Sequence, residues 1–346
     1  MRDDWMVRGQ ALVACRTVPL LSGPPPQPSP HEGEGGHLEE FGYWRKAELH
    51  CHLDGAVRPA TALGLAREQG LDLARPLRMV APDDCPSQAA FLAYFDDPLA
   101  VLQTAPALEL AAYELGVDKA ADNVDYLEVR WAPNLHLRAG LTLEEVIEAV
   151  LRGLDAAPLR AVAIACAMRH HSVADNVAMA RVAGRYAGRG LVGFDLAGDE
   201  AAWPAAPHRP AFEAARAAGL RLTCHAGEAG PPAHVEEALD LGVERVAHGV
   251  TGAGDPRVVA RLRAEGLVLD LCPTANWKCK AVRRLADHPL PGLVRGGVRC
   301  TISTDSPTVA ATTLTEEFRI AHDVLGLTPH ELWRCNETAH DARFDR

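Results

Sequence analysis

From Arg45 onward, short runs of β-formers alternate with longer segments in which Ala, Leu, Glu and Arg recur at helical spacing. This alternation restricts the fold more than any other feature of the chain. The β-like runs span 46–52, 124–131, 161–168, 191–196, 220–226, 245–248, 267–272 and 298–304, and helical stretches such as 59–70, 142–154, 175–188 and 256–266 follow most of them. Strands that alternate with helices imply a parallel sheet, because each parallel pair needs a crossover long enough to hold a helix. Eight such units fit a (β/α)8 TIM barrel, an α/β fold, better than an open doubly wound sheet. A dinucleotide-binding sheet would also need a Gly-rich phosphate turn after the first strand, and none is present. The gap between the first two runs is too long for one helix, so extra helices are expected between strands 1 and 2. One of them is "SQAAFLAYFD" (87–96), which could form a lid.

Residues 21–40 are rich in Pro, Gly, Ser and Glu and cannot bury enough apolar surface to offset the entropy of ordering. Residues 1–44 are therefore expected to be a disordered leader, of the kind an upstream start codon adds, and 45–346 to be the barrel. The chain ends soon after the helix expected to follow the eighth strand, which reads as a shortened C-terminus. Thirty-five basic against forty-six acidic residues give a charge of −11 with no basic stripe, which argues against nucleic acid and for a small-molecule partner. Nine cysteines, odd in number and scattered through apolar runs, suit a reducing, cytoplasmic setting. No apolar stretch reaches the roughly 20 residues of a membrane helix.

In such barrels reactive groups collect where strands end and βα-loops begin. The first run ends in His50-Cys51-His52, and residues i and i+2 of a strand face one side, so both imidazoles can point into the barrel mouth. The fifth run ends in "CHAGE" with His225 and Glu228, the sixth in "AHG" with His248, and the eighth in Asp305. Singly, each has an ordinary alternative: a packed core histidine, a helix-start acid, a cap. Together, four histidines and an aspartate at one mouth point to a metal or catalytic site. Three imidazoles and one carboxylate suit a single Zn²⁺, held by His50, His52, His225 and Asp305, with His248 and Glu228 left as acid/base candidates. No lysine at a middle strand end is available to bridge a second metal.

These residues resemble the adenosine deaminase family of the amidohydrolase superfamily. The resemblance runs over residues 45–346 and rests on "KAELHCHLDGAVRP" (46–59), "YLEVRWAP" (126–133), "MRHH" (168–171), "VGFDLAGDE" (192–200), "CHAGEAG" (224–230), "ERVAHG" (244–249), "CPTAN" (272–276) and "STDSP" (303–307), in that order. It implies hydrolysis of the 6-amino group of a purine, with His50, His52, His225 and Asp305 as zinc ligands. It further implies Glu228 as the acid that protonates purine N1, and His248 as the residue that orients the hydroxide and stabilises charge or takes its proton. Gly198 resembles the backbone donor to purine N3, and Asp54 the residue facing the ribose; a plain turn glycine and a helix cap are their ordinary alternatives. Phe91, Leu92 and Phe95 share a helix face that either covers the purine or packs as core.

Two departures from the family pattern stand out. Many members carry a second acid after the ligand aspartate, which contacts purine N7; here it is Ser306, whose hydroxyl can still donate to that acceptor. Trp277, Lys278 and Lys280 follow "CPTAN" and, if they faced the mouth, would admit a larger or more anionic substrate. The leading expectation is deamination of adenosine or deoxyadenosine. The rivals are another 6-aminopurine (adenine, N6-methyl-AMP or aminodeoxyfutalosine) and an inactive purine-binding barrel. The cytidine-type zinc deaminases need His-X-Glu with Pro-Cys-X-X-Cys, and neither spacing occurs.

Overall fold

The computed structural model describes residues 40–72 and 75–346. Eight strands, Lys46–His52 (β1), Val124–Trp131 (β2), Arg160–Met168 (β3), Leu191–Ala197 (β4), Arg221–Ala226 (β5), Arg245–His248 (β6), Val268–Leu271 (β7) and Arg299–Ile302 (β8), lie in sequence order. Each pairs with the next in parallel, as the alternation of β and α segments predicts. The seam between β8 and β1 is closed beyond the end of β8: Cys51 bridges Asp305, the His52 N–H donates to the Asp305 carbonyl (2.6 Å), and the Asp305 N–H donates to the His50 carbonyl (2.9 Å). The residue read as a metal ligand thus also joins the first and last strands through its backbone.

Helices pack around this sheet by burying one stripe each. Leu143–Asp155 shows the rule: a Thr142/Glu145 capping box starts it, and Val146, Ile147, Ala149, Val150 and Leu154 turn inward. The β1–β2 insertion holds the extra helices expected there, Pro59–Glu68 (α2), Gln88–Leu92 (α3), Asp96–Val101 (α4) and Ala105–Ala121 (α5). They follow a four-residue helix, Glu40–Tyr43 (α1). The expected leader lies, over 1–39, outside the described residues. Its last part is helical, and Phe41 and Trp44 are buried, with Trp44 edge-on to Phe41 and Trp333, each at 5.2 Å between centroids. Two large aromatics gain more from that burial than ordering a short helix costs, so 41–44 pack with the barrel.

The barrel interior is charged rather than aliphatic. Period two puts Tyr126, Glu128 and Arg130 of β2 on one face, all fully buried. Arg130 pairs with Asp195 (3.0 Å) and Asp270 (3.7 Å), and Arg245 with Glu128 and Asp270 (3.4 Å). Nearer the seam, the Glu48 carboxylate accepts from Lys119 of α5 (2.5 Å) and from the backbone and hydroxyl of Thr304 (2.6 Å each), one residue before Asp305. Breaking a buried pair leaves one charge uncompensated. Lys119→Met is therefore expected to lower the unfolding free energy by about 3 kcal/mol, read from urea denaturation, and a loss under about 1 kcal/mol would show that the pair is dispensable.

Eight described cysteines are all buried and free of disulfides. Among the described residues no helix is long and apolar enough to cross a membrane.

Candidate active site

The strand ends bring the expected residues together. His50 and His52, two apart on β1, point the same way, and their Nε2 atoms lie 3.6 and 3.5 Å from Asp305 Oδ1. His225 at the end of β5 places its Nε2 3.1 Å from that of His52. His248 closes β6, with its ring centroid 4.7 Å from that of His50 and its Nε2 3.7 Å from Glu228 Oε2. Two of these positions are held in the left-handed backbone region without being glycine, His248 at φ 71° and Asp305 at φ 61°. Such strain costs of order 1–3 kcal/mol and persists where surrounding structure imposes it, commonly at functional sites.

Could this cluster hold a metal? The ligand atoms of His50, His52 and His225 all lie within 4.8 Å of one another. Both ring nitrogens of fully buried His50 have no hydrogen-bond partner, a costly state for a polar group shut away from water. Burial holds the His50 imidazole well below its usual range and pulls His52 down to about 3, so both are neutral lone-pair donors. Asp305 completes a three-imidazole, one-carboxylate set, the kind of donor set that Zn²⁺ takes. Cys272 also clusters with His50 and His248, and burial raises its thiol well above the ordinary value.

A second layer of residues sets the first, and sequence reading assigned none of them. His225 Nδ1 lies 2.9 Å from Asp195 Oδ2, which leaves Nε2 for the cluster. Burial works to raise the Asp195 carboxyl, yet His225 and Arg130 together hold it well below its ordinary value. The Asn276 amide meets His248 Nδ1 at 2.9 Å, while its oxygen takes the Cys272 N–H (3.3 Å) and the His288 ring (3.1 Å). That network makes Nδ1 of His248 an acceptor and puts its proton on Nε2, towards Glu228. Asp195 and Asn276 stand inside strings already singled out, "VGFDLAGDE" and "CPTAN"; what gave no local signal is their pairing with His225 and His248, which barrel closure brings about.

Beside the cluster opens a cavity of about 340 Å³, lined by His52, Asp54, Gln88, Phe91, Leu92, Phe95, Gly198, Glu228, His248 and Asp305 among others. Burial, and then the Asp305 charge, push the Glu228 carboxyl up to about 7, and burial pushes Asp54 up to about 6. Asp54 Oδ1 has no hydrogen-bond partner. Gly198 takes φ 108°, a conformation that favours glycine, so its backbone meets the cavity without a side chain. Phe91, Leu92 and Phe95 line the cavity, so their shared face serves more than the core.

Ser306 is the exception. It is fully buried, its hydroxyl donates to Asp305 Oδ1 (3.1 Å), and it packs so closely on Gly55 that a Cβ there would sit 2.4 Å from its Oγ. It does not line the cavity, and its hydroxyl is turned to the ligand carboxylate. The two lysines also turn away from the mouth: Lys278 donates to the Ala81 carbonyl (2.9 Å) and Lys280 to that of Asp83 (3.1 Å). They clamp the β1–β2 insertion onto the loop after β7, which removes the argument they offered for an anionic substrate.

The family model for adenosine deaminase matches residues 45–344. The chain belongs to the adenosine deaminase family. An adenosine deaminase from Enterococcus faecalis is 38% identical over 282 residues, covering 79% of this chain and 84% of that protein. Among solved structures, an adenine deaminase from Arthrobacter aurescens superposes with a TM-score of 0.80 at 29% identity, covering 87% of this chain and 94% of the other. An amidohydrolase from Burkholderia ambifaria with bound zinc gives 0.79 at 27%, covering 91% and 90%. As a member of the adenosine deaminase family the chain is a hydrolytic deaminase of small purine substrates.

Proposed function

We propose that this deaminase acts on adenosine and deoxyadenosine, releasing ammonia and the 6-oxo nucleoside, with one zinc ion per chain held by His50, His52, His225 and Asp305. The observation that carries the choice of a nucleoside is Asp54. A buried carboxylate oxygen without a partner, on a residue lining the cavity, is an acceptor for a sugar hydroxyl, and free adenine has none to offer. The 38% identity to an adenosine deaminase supports the same reading.

Zinc held by His50, His52, His225 and Asp305 would supply Lewis acidity and make water a better nucleophile near neutral pH. The chain's own residues do the rest. Water adds at purine C6 first, and the ring accepts the added electron pair only if N1 gains a proton, which Glu228, with a carboxyl near pH 7, is protonated often enough to supply; the exocyclic C6–N bond then breaks, the amine leaving as ammonia with one proton of the added water while the other restores Glu228. His248 presents Nε2–H, so it acts as a donor to developing negative charge rather than as the base. The Gly198 backbone N–H faces purine N3.

Adenine is the closest rival, given the adenine deaminase likeness. An inactive barrel is disfavoured because Glu228 and His248 are both in place. Ammonia release by zinc-loaded protein from adenosine, deoxyadenosine, adenine, N6-methyl-AMP and aminodeoxyfutalosine tests the reading: the two nucleosides should be fastest, and fast turnover of another purine with none of adenosine overturns it. Asp54→Ala is expected to raise the adenosine KM by about tenfold, the worth of one hydrogen bond to a charged group, and an unchanged KM would remove Asp54 from the sugar site.

A further inference from the structure

Gln88 sits on α3 of the β1–β2 insertion, buried, with its carboxamide at the cavity wall. Its side-chain oxygen accepts the Glu200 backbone N–H at 3.2 Å. That contact orients the amide, so the end facing Glu228 is the NH2, which donates to Glu228 Oε2. Glu200 holds the same acid from behind. Its buried carboxylate accepts the backbone N–H groups of Gly227 (2.7 Å), Glu228 (2.9 Å), Ala229 (2.8 Å) and Gly230 (3.0 Å), the loop that carries Glu228. The Cys279 side chain hydrogen-bonds the same carboxyl from the loop after β7, so the acid's backbone is set by Glu200 and its side chain by Gln88 and Cys279.

We propose that Gln88 is a positioning residue for Glu228, holding its carboxyl by Oε2 for delivery of the proton to the purine ring; this rests on the acid role given to Glu228 above. While Glu228 is neutral, the Gln88 N–H on Oε2 is an ordinary hydrogen bond. When the carboxyl O–H bond breaks and the N1–H bond forms, the electron pair stays on the carboxylate. The Gln88 N–H then faces an anion, and the hydrogen bond strengthens as the charge grows. An interaction stronger in the transition state than in the ground state raises kcat and leaves KM alone. The insertion that carries Gln88 also carries Phe91 and Phe95 of the cavity wall and is clamped by Lys278, so the acid is set only when the insertion is seated.

The test uses zinc-loaded Gln88→Leu, which removes the amide at similar size, and Gln88→Met, which keeps the chain length and substitutes if the first variant folds poorly. With whichever purine the substrate panel selects, kcat should fall by about tenfold, while KM and the Ki of the 6-oxo product stay within about twofold. In a Glu228→Gln background the same change should cost nothing further, because the proton it directs is gone. Wild-type kcat, a matched rise in KM and product Ki, or additive losses in the double variant would each overturn the proposal, the second by marking Gln88 as packing alone. Glu228→Gln measured alongside separates the two layers. If it turns over like wild type, the acid role itself fails; if it is crippled while Gln88→Leu is not, only the role of Gln88 fails.

Discussion

Glu228→Gln is expected to bind zinc at the wild-type stoichiometry, fold normally and lose about 10²–10⁴-fold in kcat, the range spanned by a positioned general acid. Glutamine keeps the shape of the side chain and can still meet the purine with an N–H, but it cannot release a proton to N1. Attack at C6 then has to place negative charge on an unprotonated ring. The substitution is also mild structurally, since the four amides that bond Glu200 belong to the backbone of the Gly227–Gly230 loop and do not depend on the side chain. Metal content by atomic absorption, thermal unfolding and steady-state ammonia release on one preparation check it. A kcat near wild type with full zinc would remove Glu228 as the acid.

Why were such residues legible before any coordinates? A parallel strand buried on both faces reads as a compact run of β-formers, and the runs 46–52, 124–131 and 245–248 coincide with β1, β2 and β6. Once strand ends are located, period two and barrel topology say which side chains share a mouth, so His50, His52, His225, His248 and Asp305 could be grouped from spacing alone. Direction within a turn has no such rule. Ser306 follows a cluster residue immediately, and its place in the sequence does not say that its hydroxyl meets the Asp305 carboxylate. Gln88 was hidden for the opposite reason: it lies on a helix read for its aromatic face, and its partner Glu228 is 140 residues away, joined only when the barrel closes. Phe41 and Trp44 were overlooked because the Pro- and Gly-rich segment before them dominates local composition, while the rings they pack on, His322 for Phe41 and Phe318 and Trp333 for Trp44, come near the end of the chain.

Stripping the metal with a strong chelator is expected to abolish turnover, and zinc to restore it. Removing the ion leaves polar groups without partners. His50 has two buried nitrogens without partners, and the facing Nε2 atoms of His52 and His225 gain nothing from each other when both are lone pairs. An ion takes one nitrogen from each of the three rings, and it binds only the folded state, so zinc at a thousand times its Kd adds about 4 kcal/mol to stability. Apo-protein should therefore melt at a visibly lower temperature than the zinc form, a readout independent of catalysis. Asp305→Asn isolates the carboxylate's share. Asn tolerates φ 61° better than most residues, the bridge that closes β8 onto β1 uses only the backbone of position 305, and the side-chain oxygen can still accept from Ser306. The variant should fold with the barrel closed, bind zinc at least about tenfold more weakly, and show little or no turnover. Wild-type zinc affinity and rate in Asp305→Asn, or activity indifferent to chelators, would take the metal role away from this cluster and leave its neutral histidines to be explained by packing.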